Sequence, residues 1–274
     1  MPLTTINGIR LSYADRGTGR PVVLLMGTGA SGSVWELHQV PSLLAAGMRV
    51  ITLDNRGVPP SDPGEDGFTI DDLVADVAGL IESLGIAPCA VVGTSMGAYI
   101  AQELALARPD LLDRVILLAA CGRSSLVQRT LAAAEAELIA AGTELPPGYR
   151  AAVRALHHLG PATLADDELT EDWLDVLAKA GPTGPGIRHQ LAVSALPDRL
   201  TAYRAITVPC HVLSFENDIV APPSAGRELA AAIPGATYDV IGGCGHYGYL
   251  EDPDAVNRYL VDLLSDRSAL ERSA

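Results

Sequence analysis

Lysine is almost missing from this chain. Only Lys179 occurs, and 19 Lys and Arg together face 33 Asp and Glu, for a net charge of −14. Nucleic-acid phosphates are held by clustered cations, so a nucleic-acid partner is disfavoured. The phosphate loop G-x-x-x-x-G-K-[ST] needs a lysine after glycine, and Lys179 follows Ala178, so that route to nucleotide triphosphates is excluded. Cysteine is scarce too. Cys89, Cys121, Cys210 and Cys244 form no C-x-x-C pair, which argues against structural zinc and for buried, reduced thiols. No apolar run approaches the roughly 20 residues that span a bilayer. Met1–Thr5 lacks the charged and apolar regions of a signal peptide. No membrane association and a cytoplasmic location are the expectations.

What is present is apolar and regular. Hydrophobic residues make up 48% of 274, enough to bury one large core. Asn7-Gly8 lies between Leu3–Ile6 and Ile9–Tyr13, a type I′ hairpin pattern. Short apolar runs at Val22–Met26, Arg49–Leu53, Cys89–Val92 and Val115–Ala119 read as buried strands. Helical stretches at Trp35–Ala46, Thr69–Leu84 and Met96–Ala107 separate them. In Thr69–Leu84 the residues Leu73, Val77, Ile81 and Leu84 share one stripe, Thr69 with Asp72 resembles a capping box, and Gly85 is the stop. Such alternation predicts a parallel sheet with helices on both faces.

From residue 123 to 206 the strands disappear. Helical stretches at Leu126–Ala141, Tyr149–Leu159, Glu171–Ala180 and Ile187–Leu196 are divided by Pro- and Gly-rich loops, among them Gly181–Gly186. Alternation resumes with His211–Phe215, Ala225–Ala232, Thr237–Ile241 and Asp254–Leu264, and the tail is expected to fray. The organisation expected is a core of 1–122 and 207–274 with a helical insertion at 123–206.

Gly93-Thr94-Ser95-Met96-Gly97 matches G-x-S-x-G. A shuffled chain this rich in glycine shows that pattern about once in seven trials, so the pentapeptide alone is weak. Its setting makes it strong: it directly follows an apolar strand and directly precedes a helix. A sharp strand-to-helix turn would lift Ser95 Oγ above the sheet edge and leave the Met96 N–H free for an oxyanion.

A serine needs a base. His38 precedes Ser95 in the chain. His157, His158 and His189 lie in the insertion, and His211 opens a strand. His246 follows the last strand in a glycine-rich loop, at the sheet's carboxyl edge where the sites of α/β proteins gather. Past Phe215, Asp218 is the candidate acid and Glu216 the alternative.

Together, Gly93–Gly97, Phe215–Pro222 and Gly243–Pro253 resemble the α/β-hydrolase superfamily over essentially the whole chain. The resemblance implies a mostly parallel eight-stranded sheet with helices on both faces and an inserted helical cap. It implies a Ser95–His246–Asp218 triad, and an oxyanion hole from the N–H groups of Met96 and Thr28, with Gly29 as the alternative to Thr28. Asp54-Asn55-Arg56-Gly57 resembles that superfamily's D-x-R-G strand end. Met26 stands where histidine is usual, Phe215 where glycine is common, and Pro59-Pro60 where Gly-x is usual before Ser61. Trp173, Tyr149 and Leu156 are candidate lining residues, and Tyr247 and Tyr249 flank His246.

The function implied is a serine hydrolase acting on an ester, thioester or related acyl bond of a small molecule, with no cofactor. A peracid-forming, haloperoxidase-like variant uses the same triad. An alternative is an acyltransferase: Met26–Pro41 with Asp54–Asp62 resembles hydrolase-like proteins of antibiotic biosynthesis, some of which take acyl groups from carrier proteins. An acyl carrier protein is then a candidate partner, although the shared acidity argues against it. A third alternative comes from Gly27-Thr28-Gly29-Ala30-Ser31-Gly32, a literal G-x-G-x-x-G followed by Asp54, the fingerprint of NAD-dependent oxidoreductases. It explains neither Ser95 nor His246.

Overall fold

The computed structural model describes residues 2–65, 67–179 and 186–265. The expected loop at 181–186, apart from Gly186, and the expected fraying of the tail fall outside them.

The chain opens with β1 (Leu3–Ile6) and β2 (Ile9–Arg16), joined by a turn in which Asn7 and Gly8 have φ of +49° and +80°. These left-handed angles are the type I′ geometry that Asn-Gly favours. Then follow β3 (Pro21–Leu25), a 3-10 turn (Gly32–Leu37), α1 (Gln39–Ala45), β4 (Arg49–Leu53) and α2 (Ile70–Ser83). Next come β5 (Cys89–Thr94), α3 (Met96–Ala107) and β6 (Leu112–Leu118). Five helices are inserted here: α4 (Leu126–Ala140), α5 (Pro147–His158), α6 (Pro161–Ala165), α7 (Asp167–Lys179) and α8 (Ile187–Ser194). The chain closes with β7 (Cys210–Phe215), α9 (Pro223–Ala232), β8 (Thr237–Ile241), α10 (Gly248–Glu251) and α11 (Pro253–Ser265).

The eight strands form one sheet in the order β1-β2-β4-β3-β5-β6-β7-β8. β2 runs antiparallel to β1 and β4, and every other pairing is parallel. Side chains alternate across each strand, so the sheet builds two cores. Val23, Leu25, Val91 and Val212 pack with α2, α3 and α9, whereas Val22, Leu24, Val92 and Leu213 pack with α1 and α11. The fold is the α/β-hydrolase fold with a helical insert, as the resemblance implied.

Two helices differ from expectation. Trp35–Ala46 is broken at His38, where φ is −140°. Proline lacks an N–H and is tolerated only in a helix's first turn, so Pro41 forces a fresh start at Gln39. The insert also contains α6, which begins on Pro161 for the same reason.

The insert stands on a stem. Ser124 N–H donates to Leu196 O at 3.0 Å, and Arg199 N–H donates to Gly122 O at 3.0 Å. Below this stem Arg199 grips the buried Glu103 of α3 with two bonds of 2.7 Å, and Tyr203 donates to the same carboxylate at 2.9 Å. The feet of the insert are thereby tied to the helix that follows Ser95.

Candidate active site

Ser95 sits between the last residue of β5 and the first of α3, with φ +55° and ψ −120°. A non-glycine residue rarely holds such angles, and the strain persists only because the surroundings impose it. The flanking glycines are part of that imposition. A Cβ on Gly93 would lie 2.2 Å from Gly97 O, and one on Gly97 would lie 2.2 Å from Leu25 O and 2.8 Å from Met26 O. The spacing G-x-S-x-G is thus a steric requirement of this turn. Met96 is the first residue of α3, so its N–H has no acceptor within the helix.

His246 and Asp218 come from the loops after β8 and β7, at the same carboxyl edge. His246 Nδ1 and Asp218 Oδ2 are 2.7 Å apart, with both side chains buried. The carboxylate is acceptor-only, so Nδ1–H donates, and in the neutral ring Nε2 is then the acceptor nitrogen. Asp218 Oδ1 accepts from the N–H groups of Val220 and Ala221, each at 2.8 Å. Burial pushes the Asp218 carboxyl up, but the His246 charge, its hydrogen bond and the two backbone donors outweigh it and hold the group below the usual carboxylate range. Glu216 instead accepts from Gly243 N at 2.8 Å in an exposed position, bracing the loop. Geometry therefore separates the two acids: Asp218 meets His246 and Glu216 does not. Phe215 is accommodated because Gly248 lies against its ring; a Cβ there would sit 2.2 Å from Phe215 Cδ1.

The loop after β3 completes the edge. A Cβ on Gly27 would lie 3.2 Å from Ser95 Cβ and 3.7 Å from Ser95 Oγ, so the Gly27-Thr28 peptide runs beside the serine. Asn55 Nδ2 holds Met26 O at 3.2 Å, and the Gly29 N–H donates to Gln190 Oε1 at 2.8 Å. Asp54 is fully buried, and its Oδ1 accepts from Ser31 Oγ at 2.6 Å and Gly32 N at 2.9 Å. In a dinucleotide site that carboxylate would face a ribose and the glycines would open a helix. Here Oδ1 is engaged by the Ser31-Gly32 turn, and a 3-10 turn rather than an α-helix follows the glycines.

The structure also brings residues of the insert to this edge. His158, at the end of α5, packs edge-on against His246 with ring centroids 5.4 Å apart and stacks on Tyr247 at 4.6 Å. Trp173 continues the stack at 6.2 Å from Tyr247. Burial, then the nearby His246 charge, push His158 down to about 3, so it is neutral beside the pair. Its Nδ1 meets Arg154 O at 2.8 Å, which fixes the Nδ1–H tautomer. Glu251 joins the insert to the His246 loop: Oε1 accepts from Gly160 N at 2.8 Å and Thr163 Oγ1 at 2.6 Å, and Oε2 accepts from Gly245 N at 2.7 Å. Of the expected lining residues, Trp173 is half-buried in the aromatic stack, while Tyr149 and Leu156 are 59% and 63% exposed and enclose nothing. Tyr249 is core, packed on Trp35 at 5.1 Å.

Residues 22–259 match the model of the Alpha/beta hydrolase family. The chain is 44% identical over 262 residues to a Mycobacterium tuberculosis protein named non-heme bromoperoxidase BpoC, covering 95% of this chain and 100% of that one. The crystal structure of BpoC superimposes with a TM-score of 0.88, covering 92% of this chain and 94% of that chain at 45% identity. The enol-lactonase of Burkholderia xenovorans superimposes with a TM-score of 0.83 at 28% identity, covering 97% and 100% of the two chains. A thermophilic esterase from Thermogutta terrifontis gives 0.83 at 27% identity, covering 96% and 98%. The protein belongs to the alpha/beta hydrolase family.

Proposed function

We propose that this hydrolase cleaves an ester or thioester bond of a small molecule through an acyl-Ser95 intermediate. The observation that carries the proposal is the buried Asp218–His246 hydrogen bond set at the same sheet edge as the strained Ser95. In this reading the lone pair on His246 Nε2 takes the Ser95 proton as Oγ attacks the acyl carbon. Asp218 keeps the imidazole in its Nδ1–H tautomer and stabilises the imidazolium. The N–H groups of Thr28 and Met96 hold the oxyanion. His246 then returns the proton to the leaving group, and a water activated by the same imidazole releases the acid.

Two of the relatives described above carry names, esterase and enol-lactonase, that denote cleavage of open and cyclic esters, and they support this bond class. The name bromoperoxidase on the 44% identical chain points to a second acceptor. Hydrogen peroxide in place of water would discharge the same intermediate as a peracid. Acyl transfer to an alcohol or amine would use it too, but no relative described above is named for transfer.

A fluorophosphonate probe is expected to label Ser95, and Ser95→Ala to abolish labelling; a label mapped to another residue refutes the assignment. His246→Ala is expected to abolish turnover of p-nitrophenyl acetate and His157→Ala to spare it. Offering water, hydrogen peroxide, alcohols and amines to the trapped acyl-enzyme identifies the acceptor.

A further inference from the structure

We infer that Gln190, on cap helix α8, is a positioning residue of the oxyanion hole, and that it determines which backbone N–H serves there. This inference rests on the acyl-serine reading above.

The loop from Met26 to Gly29 offers two adjacent donors near Ser95, the N–H groups of Thr28 and Gly29. Only one can be engaged elsewhere without dismantling the hole. Gln190 is fully buried, and both ends of its amide are engaged. Oε1 accepts from Gly29 N at 2.8 Å, and Nε2 donates to Arg56 O at 2.7 Å. A backbone N–H can only donate and a backbone carbonyl can only accept, so the amide has a single orientation. Its support is rigid, since the Arg56 guanidinium is clamped on the buried Asp76 at 2.6 and 2.7 Å.

The same helix holds the loop a second time. Ser194 Oγ lies 2.8 Å from Gln190 O, to which it donates, and 2.6 Å from Thr28 Oγ1. Thr28 is thus held by its side chain while its neighbour Gly29 is held by its N–H. With the Gly29 N–H occupied, the Thr28 N–H is left as the donor for Ser95, one residue on from Gly27, where a Cβ would lie 3.2 Å from Ser95 Cβ. Gly29 takes φ +70°, a left-handed angle open to glycine, and its N–H meets α8 at Gln190. The cap therefore does more than cover the site: one of its side chains sets the hole.

Gln190→Met keeps the volume but removes both polar contacts. Its kcat for p-nitrophenyl acetate is expected to fall about tenfold to hundredfold, less than the roughly hundredfold to thousandfold lost when an oxyanion donor is removed outright. KM is expected to stay within about threefold, and the affinity of a trifluoromethyl ketone, which forms a tetrahedral adduct on Ser95, to fall by the same factor as kcat. A merely structural role would instead raise KM and lower the unfolding temperature with no parallel between kcat and inhibitor. That pattern, or kcat and inhibitor affinity both within about twofold of wild type, overturns the inference. Should Gln190→Met fail to fold, the wild-type protein decides. On forming the ketone adduct, the amide proton signals of Thr28 and Met96 are expected to move downfield and that of Gly29 to stay. Movement at Gly29 with none at Thr28 overturns the inference. Absence of fluorophosphonate labelling in the wild type would instead overturn the acyl-serine reading itself.

Discussion

A single methyl group separates Gly97 from alanine, and the structure leaves no space for it between α3 and the end of β3. Both close neighbours are backbone carbonyls, which cannot swing aside as a flexible side chain would. Gly97→Ala is expected to destabilise the protein by about 1–3 kcal/mol, the usual range for overpacking, and to lower fluorophosphonate labelling in proportion to the distortion of Ser95. Thermal unfolding and labelling rate check this. His158 supplies a pH dependence. Its folded-state value lies near 3 and its ordinary value near 6.5, so between them the unfolded chain binds a proton that the folded chain refuses. The associated stability is complete above about pH 6.5 and is lost progressively as the pH falls toward 3. Replacing His158 with glutamine is expected to flatten that acid slope in denaturant titrations. At this scale the sequence is uneven. The candidates Ser95, Asp218 and His246 stand out because each lies in a short local motif at a strand end. Gln190, His158 and Glu251 carry no such mark: each reaches a partner far along the chain, Gly29, His246 and Gly160 in turn, and contacts of that range leave no local pattern.

The elements show the same division. The strands were readable because the central ones are buried on both faces and so appear as uninterrupted apolar runs, as in β5 and β7. α2 was readable from its stripe and from Thr69, whose N–H donates to Asp72 Oδ2 at 2.7 Å. α10 was not, because four residues cannot display a helical period. Yet α10 carries Glu251, whose three partners, two N–H groups and a hydroxyl, all donate. An amide in its place would set its own NH2 against one of these donors. Glu251→Gln is therefore expected to be nearly as damaging as Glu251→Ala, each by about 1–3 kcal/mol for stranded buried donors, with a fall in kcat as the His246 loop loosens. Thermal unfolding of the two variants side by side is the check; full retention of stability in the glutamine variant would show that the charge on Glu251 is not needed.

Across the whole molecule, the insert meets the core at the stem, at the loop of Thr28 and Gly29, and at the His246 loop. The eight-stranded, mostly parallel sheet was implied by the resemblance, whereas the docking of the insert was not, since it depends on polar side chains whose partners lie on other elements. The stem closes through two backbone bonds and is tied to the core by Arg199 on Glu103, so a foreign cap grafted between Gly122 and Arg199 could stand on those feet. A cap transplanted from a distant relative should accordingly produce a folded chimera. Unless it brought a glutamine to the place of Gln190, such a chimera should leave the Gly29 N–H unclaimed and turn over slowly at near-normal stability. Restoring that one side chain in the foreign cap is expected to recover most of the rate. The backbone stem thus makes the cap interchangeable as a part, while a single amide makes it answerable to the core it serves.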